Sequence, residues 1–565
     1  MHKPLARTIR FLLGFFLLSV VLKSHLAAQI PQLEIWEIQG TEAQSPFRNQ
    51  EVQTNSNIVT YVGFDFFAIQ TPEERSDNNV LSSDGLIVVS GSHTLELGDV
   101  VSISGFVRES DGQTLIDNVG LQISVEDSDQ ALPPAVELNE SFPSPIRQNL
   151  PDMERVEGML VDVPIGMANG PANSLGLPLV ASEQRIFREA GIPFPGINGL
   201  PVWDNNPELL YLLPINEFWQ PLREASGGNL IQTSGLLFED EGRYLIRPQS
   251  LNIEGGLADQ AVRDKTEDEV SIGSLNCLTF FRGTDNFDNR LNKLATYILF
   301  QMKAPDILAV QEVENELVLE RLGDAIENLD SSVQYQAMAV PINSGSFPIN
   351  NGYLVRRSLQ NASMQLLGEA QQMSTGGGLH NRPPLLLEAE WPTDPPTPIR
   401  VLNLHMRSLN GIEGDDAFFV RLKRHEQGIS VARMIQSLRS QNLIVLGDMN
   451  AYEFSDGYVD ILSQISGQPS LGSEFPVNPI VNPPLTNHSA EIAAQERYSF
   501  IFRGNLQLLD HCLSNELEGM QVKELAYARG NSDNPEFSLS SPDQVLRASD
   551  HDGLVLFLEL DNPVE

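Results

Sequence analysis

The sequence predicts two architectures in series, all-β modules up to about residue 253 and an α/β or α+β domain from about residue 270. Two observations carry that division. Residues 30 to about 130 contain short β-rich runs, such as Ile58-Val59-Thr60-Tyr61-Val62 and Gly85-Leu86-Ile87-Val88-Val89, separated by Gly, Asn, Asp and Ser. From Val270 the pattern changes to apolar strands alternating with amphipathic helical stretches. A third observation points beyond packing. The strand Leu443-Ile444-Val445-Leu446 runs straight into Gly447-Asp448-Met449-Asn450, and the period of two puts Asp448 and Asn450 on one face.

The N-terminus reads as a processing segment. His2, Lys3, Arg7 and Arg10 precede an apolar run from Phe11 to Leu22, and Leu26-Ala27-Ala28 offers a small-residue cleavage site. That run is shorter than the roughly 20 residues a membrane-spanning helix needs. Residues 1–28 are therefore expected to be a signal peptide, and the mature chain to be secreted, extracellular or periplasmic. The formal net charge is −39. Removing the leader takes away four basic groups and no acidic ones, leaving −43. Such acidity opposes non-specific binding to phosphate polymers unless a cation or a local basic patch offsets it. The two cysteines, Cys277 and Cys512, are compatible with one disulfide or with two buried thiols.

Residues 29–130 form the first expected β module, with strands at Ile35–Ile38, Ile58–Val62, Phe64–Ile69, Gly85–Val89 and Val100–Ser104. The run from Leu97 to Val107 resembles the Gly-Asp-led, Val-rich strand of OB-fold barrels in secreted bacterial nucleases. Residues 131–253 are expected to be a second, less regular β-rich module, with a Gly/Pro/Asn-rich insertion from Gly166 to Pro214. Residues 254–269 are polar and acidic, as a linker would be.

Residues 270–560 form the third unit. Helices are expected at 290–303, 315–329 and 416–439. Its buried strands end in Asn276, in Glu312, in His405, in Asp448 with Asn450, in Asp510, and in Asp550 with His551. Each end taken singly reads as a turn or a cap. Gathered at one edge they bring four carboxylates, two amides and two imidazoles together, and clustered carboxylates repel unless a hard cation sits among them. Mg2+ suits that oxygen-rich set first, with Mn2+ and Ca2+ as alternatives. The Cys and compact His spacing of a zinc site is lacking.

These residues, with Gln311-Glu312-Val313, Leu509-Asp510-His511 and Ser549-Asp550-His551-Asp552, resemble in order and rough spacing the motifs of the endonuclease/exonuclease/phosphatase (DNase-like) superfamily. The context Gly447 to Tyr458 resembles its secreted bacterial nucleases, in which an N-terminal OB-like module is usual. The resemblance implies a four-layer α+β sandwich, two sheets face to face with helices outside. It implies Glu312 and Asp550 as metal carboxylates with Asn276 as helper, and Asp510 with His551 as the orienting pair that activates water or steadies phosphate. Asp448 and Asn450 would position the attacking water and a phosphate oxygen, and His405 would contact the scissile phosphate. Arg382 and Arg407, beside the site strands, are candidates for flanking phosphates. Val355 stands where many relatives carry a phosphate-contacting Tyr, and Tyr353 is not a substitute on sequence grounds. His511, adjacent to Asp510, falls on the opposite strand face and is expected to support.

The expected activity is hydrolysis of DNA, or RNA, by in-line attack of water with metal neutralising the developing charge. Two alternatives stand beside it: a phosphodiesterase or phosphatase on a lipid headgroup or small phosphoester, and a binding or adhesion protein whose DNase-like domain is non-catalytic. The sequence leaves the oligomeric state open.

Overall fold

A computed structural model describes residues 30–196, 202, 206–257, 259–284, 286–340, 349–470, 472–541 and 545–561. The expected signal peptide lies outside the described residues. Among them, no helix is long and apolar enough to cross a membrane.

The C-terminal region holds two six-stranded sheets. Its strands are β1 (Glu269–Phe280), β2 (Ile307–Val313), β3 (Tyr335–Ala339), β4 (Asn350–Arg356), β5 (Gln360–Leu366), β6 (Leu385–Trp391), β7 (Thr397–His405), β8 (Leu443–Asp448), β9 (Thr486–Asn487), β10 (Asp510–Ser514), β11 (Met520–Ala528) and β12 (Gly553–Leu560). One sheet runs β3-β4-β2-β1-β12-β11 and the other β5-β6-β7-β8-β10-β9. The period of two sorts their side chains into separate cores. Ile272, Ile307, Ala309, Val401, Ile444, Leu446, Cys512, Leu554 and Leu556 meet between the sheets. Leu275, Leu308, Val310, Val555 and Phe557 face outward against helices α1 (Phe287–Thr296) and α2 (Glu316–Leu329). Leu402, Leu404, Leu443 and Val445 face outward against α3 (Ala417–Leu438). Four layers result, helices on sheet on sheet on helix. Both cysteines are free and buried, Cys277 in the outer core of the first sheet and Cys512 between the sheets.

A polar clasp crosses the inter-sheet core. Asn403 on β7 donates from Nδ2 to the carbonyls of Val310 (3.0 Å) and Gly352 (3.1 Å), and its Oδ1 accepts from Gln311 Nε2 at 2.7 Å. The Tyr353 hydroxyl lies 2.8 Å from the carbonyls of both Leu385 and Val401. Tyr353 is therefore a tie between the sheets and not a phosphate ligand, while Val355 is buried in the same core.

Each N-terminal module closes on itself. In the first, Val100–Ser110 pairs with both Asn57–Val62 and Gln113–Ile116, and Phe66–Gln70 and Gly85–Val89 complete a five-stranded ring with one parallel pair. That closure is consistent with an OB-like module. One expected strand is corrected: Ile35–Gln39 is a short helix. Ile35 and Ile38, three apart, are both fully buried, and the Glu34 amide donates to Glu37 Oε2 at 3.0 Å, which closes the first turn. The second module is also a ring, of Leu160–Ala168, Leu177–Val180, Leu210–Leu212, Arg243–Gly255 and Asn229–Asp240. Residues 256–268 form no helix or strand where described, yet Val262 is buried in the helix-side core of the next region.

Tyr353→Phe tests the clasp. Losing the hydroxyl is expected to lower stability by about 1 kcal/mol, seen as a lower urea midpoint at unchanged slope.

Candidate active site

The site lies where the two sheets open at one edge. In the second sheet, His405 is in register with Asp448, and Asp448 with Asp510, so three functional side chains stand side by side in one row. All three belong to the inward-facing set, because Ile399, Val401, Ile444, Leu446 and Cys512 on the same strands are inward. One sequence expectation is corrected here. Asp510 begins β10, and Asp550 and His551 precede β12, so none of them ends a strand. Their strands run antiparallel to β8 and β1, and strand starts therefore land at the edge where β1, β2, β7 and β8 finish.

The first sheet needs backbone irregularity to contribute. Gln311 faces inward, so regular alternation would send Glu312 outward with Leu308 and Val310. Glu312 instead adopts φ +61°, where the pairing of β2 slips against β1 and β4. Leu278 (φ +48°), Thr279 (φ +47°) and Asn450 (φ +46°) are also left-handed. Each such residue costs of order 1–3 kcal/mol, a cost that persists at functional sites because it aims a side chain. The turned Glu312 accepts from the Thr279 amide at 2.8 Å through Oε2. Its Oε1 has only long contacts, 3.4 Å to Asn276 Nδ2 and 3.7 Å to His405 Nε2.

Asn276 is the hinge between the two sheets' carboxylates, with Nδ2 also 3.1 Å from Asp448 Oδ2. Asp448 further accepts from Asn450, the amide at Oδ1 (2.9 Å) and Nδ2 at Oδ2 (3.0 Å), and His405 Nε2 stands 3.4 Å away. Burial, opposed by His551 and reinforced by Asp510, pushes the Asp448 carboxyl up to about 7. Burial, then the charges of Arg382 and His551, holds His405 well below its ordinary value. His405 is thus a neutral imidazole, and its Nε2 faces two carboxylates, which assigns the proton to that nitrogen. Its Nδ1 is buried without a partner.

Asp510 and His551 form a tight dyad, Oδ2 to Nδ1 at 2.7 Å. Burial alone would depress His551, but the Asp510 charge and hydrogen bond, with Asp550 and Asp448 beyond, raise it well above its usual value. The Phe500 ring stacks on the imidazole, with centroids 4.7 Å apart. Ser499 Oγ donates to Asp510 Oδ2 at 2.7 Å and fixes the carboxylate.

Asp550 is half-buried, 3.3 Å from Ser549 Oγ. It and Glu312 flank the strand of Asn276 and both act electrostatically on Arg290. Arg382 reaches the site, donating to the carbonyls of His405 (3.3 Å) and Met406 (2.5 Å) and feeling the charges of Asp448 and Glu312. Arg407 does not present its guanidinium to it. Its donors go to Ser408 and to the Asn410 carbonyl. His511 faces away and bonds the Ala451 carbonyl at 2.8 Å.

Sequence reasoning gave no role to Ser499, Phe500, Arg290 or Arg424. Arg290 ties the carbonyls of Leu278, Cys277 and Ala548 together. Arg424, paired with Asp456 at 3.0 Å, braces the carbonyls of Arg407 and Asn450 from below. A helix charge that reads as solvated surface is here an internal strut.

The donor set fits a hard divalent cation. Glu312 Oε1 is weakly engaged, Asp550 is half-buried just ahead of the adjacent strand, and the ligating atoms are oxygens.

Residues 273–551 match the model of the Endonuclease/Exonuclease/phosphatase family. The C-terminal region of this chain belongs to that family. Its enzymes are phosphoester hydrolases that generally use a divalent metal, and this chain is a hydrolase of phosphoester bonds. Solved structures similar to it include humanised D. rerio TDP2 (15% identity, 52% of this chain, 99% of that chain, TM-score 0.36). Others are the human Nocturnin catalytic domain (18%, 53%, 96%, 0.34) and an endonuclease/exonuclease/phosphatase from Bacteroides vulgatus (16%, 52%, 99%, 0.34). No curated relative matches the chain.

Two outcomes are expected of this hydrolase site. Asp510→Asn, which removes the charge that holds His551, lowers kcat about 10²- to 10⁴-fold on bis-p-nitrophenyl phosphate with the thermal midpoint retained. Because the Asp448 carboxyl is raised, it is neutral below and ionised above about 7. Activity is then expected to climb as pH rises through that value, and Asp448→Asn to lose that limb of the profile.

Proposed function

We propose that the chain is a secreted, Mg2+-dependent nuclease that cleaves DNA by in-line attack of water. The observation that carries this reading is the row His405–Asp448–Asp510, in register on one sheet, facing Glu312 and Asn276 on the other. A bound divalent ion would supply charge neutralisation at the transferring phosphoryl group, with Glu312 and Asp550 to hold it. Asp448 and Asn450 orient the water, whose proton passes to the Asp448 carboxylate as the opposite P–O bond breaks and the departing oxygen takes a proton from solvent. Neutral His405 donates to a non-bridging phosphate oxygen. His551, kept protonated by Asp510, stabilises the charge developing on phosphate.

A polymer substrate is supported by a cleft of about 800 Å³ between the second barrel and the C-terminal domain. The second barrel contributes Arg185, Phe187 and Arg188 to it, and the C-terminal domain Tyr452, Phe454 and Arg497. Its aromatic rings suit the stacking of unpaired bases, while Arg185 is held by Asp533 and Arg497 by the carbonyls of Ile492 and Ala490. Export rests on the charged and apolar pattern of residues 1–28. A second reading, hydrolysis of a lipid headgroup or small phosphoester, is favoured by one observation, the net charge of −39.

The test is supercoiled plasmid, single-stranded DNA, RNA and sphingomyelin offered to purified protein with Mg2+ or with EDTA. DNA cleavage that stops with EDTA and falls at least ~10³-fold in Asp448→Asn supports the nuclease. Cleavage that survives EDTA, or turnover of sphingomyelin alone, overturns it.

A further inference from the structure

Away from the active site, the seam between the two barrels holds a buried acidic cluster. Glu157 follows the short turn Asp152–Val156, Glu154 belongs to that turn, and Glu239 sits in strand Asn229–Asp240. One carboxylate oxygen from each of the three lies within 4.8 Å of the other two. Glu157 has no solvent exposure. Its Oε1 accepts from the Thr114 amide at 2.8 Å and from Gln113 Nε2, both on the first barrel. Its Oε2 is buried and has no hydrogen-bond partner. The charges that act on it come from Glu154, Glu239 and Glu109, all negative. A buried carboxylate surrounded by its own kind, with half its acceptor capacity unmet, is the arrangement that a cation resolves.

We propose that Glu154, Glu157 and Glu239, all from the second module, bind a hard divalent cation of the Ca2+ class at the seam with the first barrel. The donors are all oxygen, which suits Ca2+ or Mg2+ over zinc or copper, and their spacing accommodates metal–oxygen distances of about 2.3–2.6 Å. Both barrels shape the pocket. The Glu239 amide donates to Gln113 Oε1 at 3.0 Å, and Ser83 Oγ to the Glu157 carbonyl at 2.7 Å. At Gly112 (φ +99°) on the first barrel, a Cβ would come within 2.3 Å of Glu239 Oε1, so the turn is pressed onto that carboxylate. Tyr244 donates to Glu154 Oε2 at 3.1 Å, which orients the third ligand. The rival occupant is the proton. Burial and the Glu239 charge push Glu154 up to about 7, and the two carboxyls face each other closely enough to share a hydrogen bond.

The site is independent of the nuclease reading and is tested apart from activity. Full-length protein carrying Glu312→Gln and Asp550→Asn, which disables the catalytic ion site, is stripped with EDTA and titrated with Ca2+ or Mg2+. Calorimetric binding and the thermal midpoint are followed. One bound Ca2+ per chain and a raised midpoint are expected, both abolished by Glu157→Gln added to that background. Glu239→Gln, at a less buried position, is expected to weaken Ca2+ at least about tenfold and decides the matter if Glu157→Gln does not fold. Absence of Ca2+ binding, or Ca2+ binding unchanged by either substitution, overturns the proposal. A Glu157→Gln protein that is more stable with or without Ca2+ also overturns it and assigns the cluster to shared protons.

Discussion

The amide of Asn403 is the point on which the two-sheet site depends. It is fully buried between the sheets, and both its donors and its acceptor are matched across the gap. A satisfied buried amide contributes little net stability but fixes geometry, because any slip leaves donors and acceptors unpaired in an apolar core. Its neighbours in sequence show what is being fixed. His405 lies two residues further along β7, and Gln311, its partner, immediately precedes Glu312. The clasp thus sets how far apart the two halves of the site stand and in what register.

Charge is the second constraint. Glu312, Asp448, Asp510 and Asp550 converge in a chain whose formal net charge is −39. The protein counters each differently. Asp510 is paired with His551, Asp448 is held by two amides and driven toward neutrality by burial, and Arg290 and Arg382 lie near Glu312. Glu312 and Asp550 keep weakly engaged oxygens, the place the proposed cation would take. The second barrel reaches this machinery indirectly. Tyr211 bonds the Arg503 carbonyl (2.9 Å) and the Arg188 amide the Leu506 carbonyl (3.0 Å), which steadies the hairpin whose first strand carries Phe500 onto His551.

Much of this was readable in the sequence. The three long helices and the buried strands of the C-terminal region follow from periodicity. α2 (Glu316–Leu329), for example, begins right after its Asn315 cap. Motif order then supplied the polar set. What escaped has a physical reason in each case. The helix at Ile35–Gln39 spans too few residues for its period to declare itself. Glu312 depends on a left-handed φ that a non-glycine residue does not advertise. Asp510 opens its strand and His551 stands just ahead of one, a distinction only the sheet order reveals. Ser499 acts across the hairpin that separates it from Asp510, and Arg424 through contacts to segments 17 or more residues away. The seam carboxylates Glu154, Glu157 and Glu239 likewise meet only when the turn at Asp152–Val156 folds against a strand some 80 residues later.

The proposed function divides labour across the gap, with metal to be held by Glu312 and Asp550 on one side and water and phosphate by Asp448, Asn450 and His405 on the other. Anomalous diffraction from Mn2+-soaked crystals tests it most directly. The account predicts a peak about 2.1 Å from the Glu312 carboxylate and beside Asp550, on the Asn276 side of the cleft. A peak ligated by Asp448 and His405 with Glu312 outside its coordination sphere would contradict it.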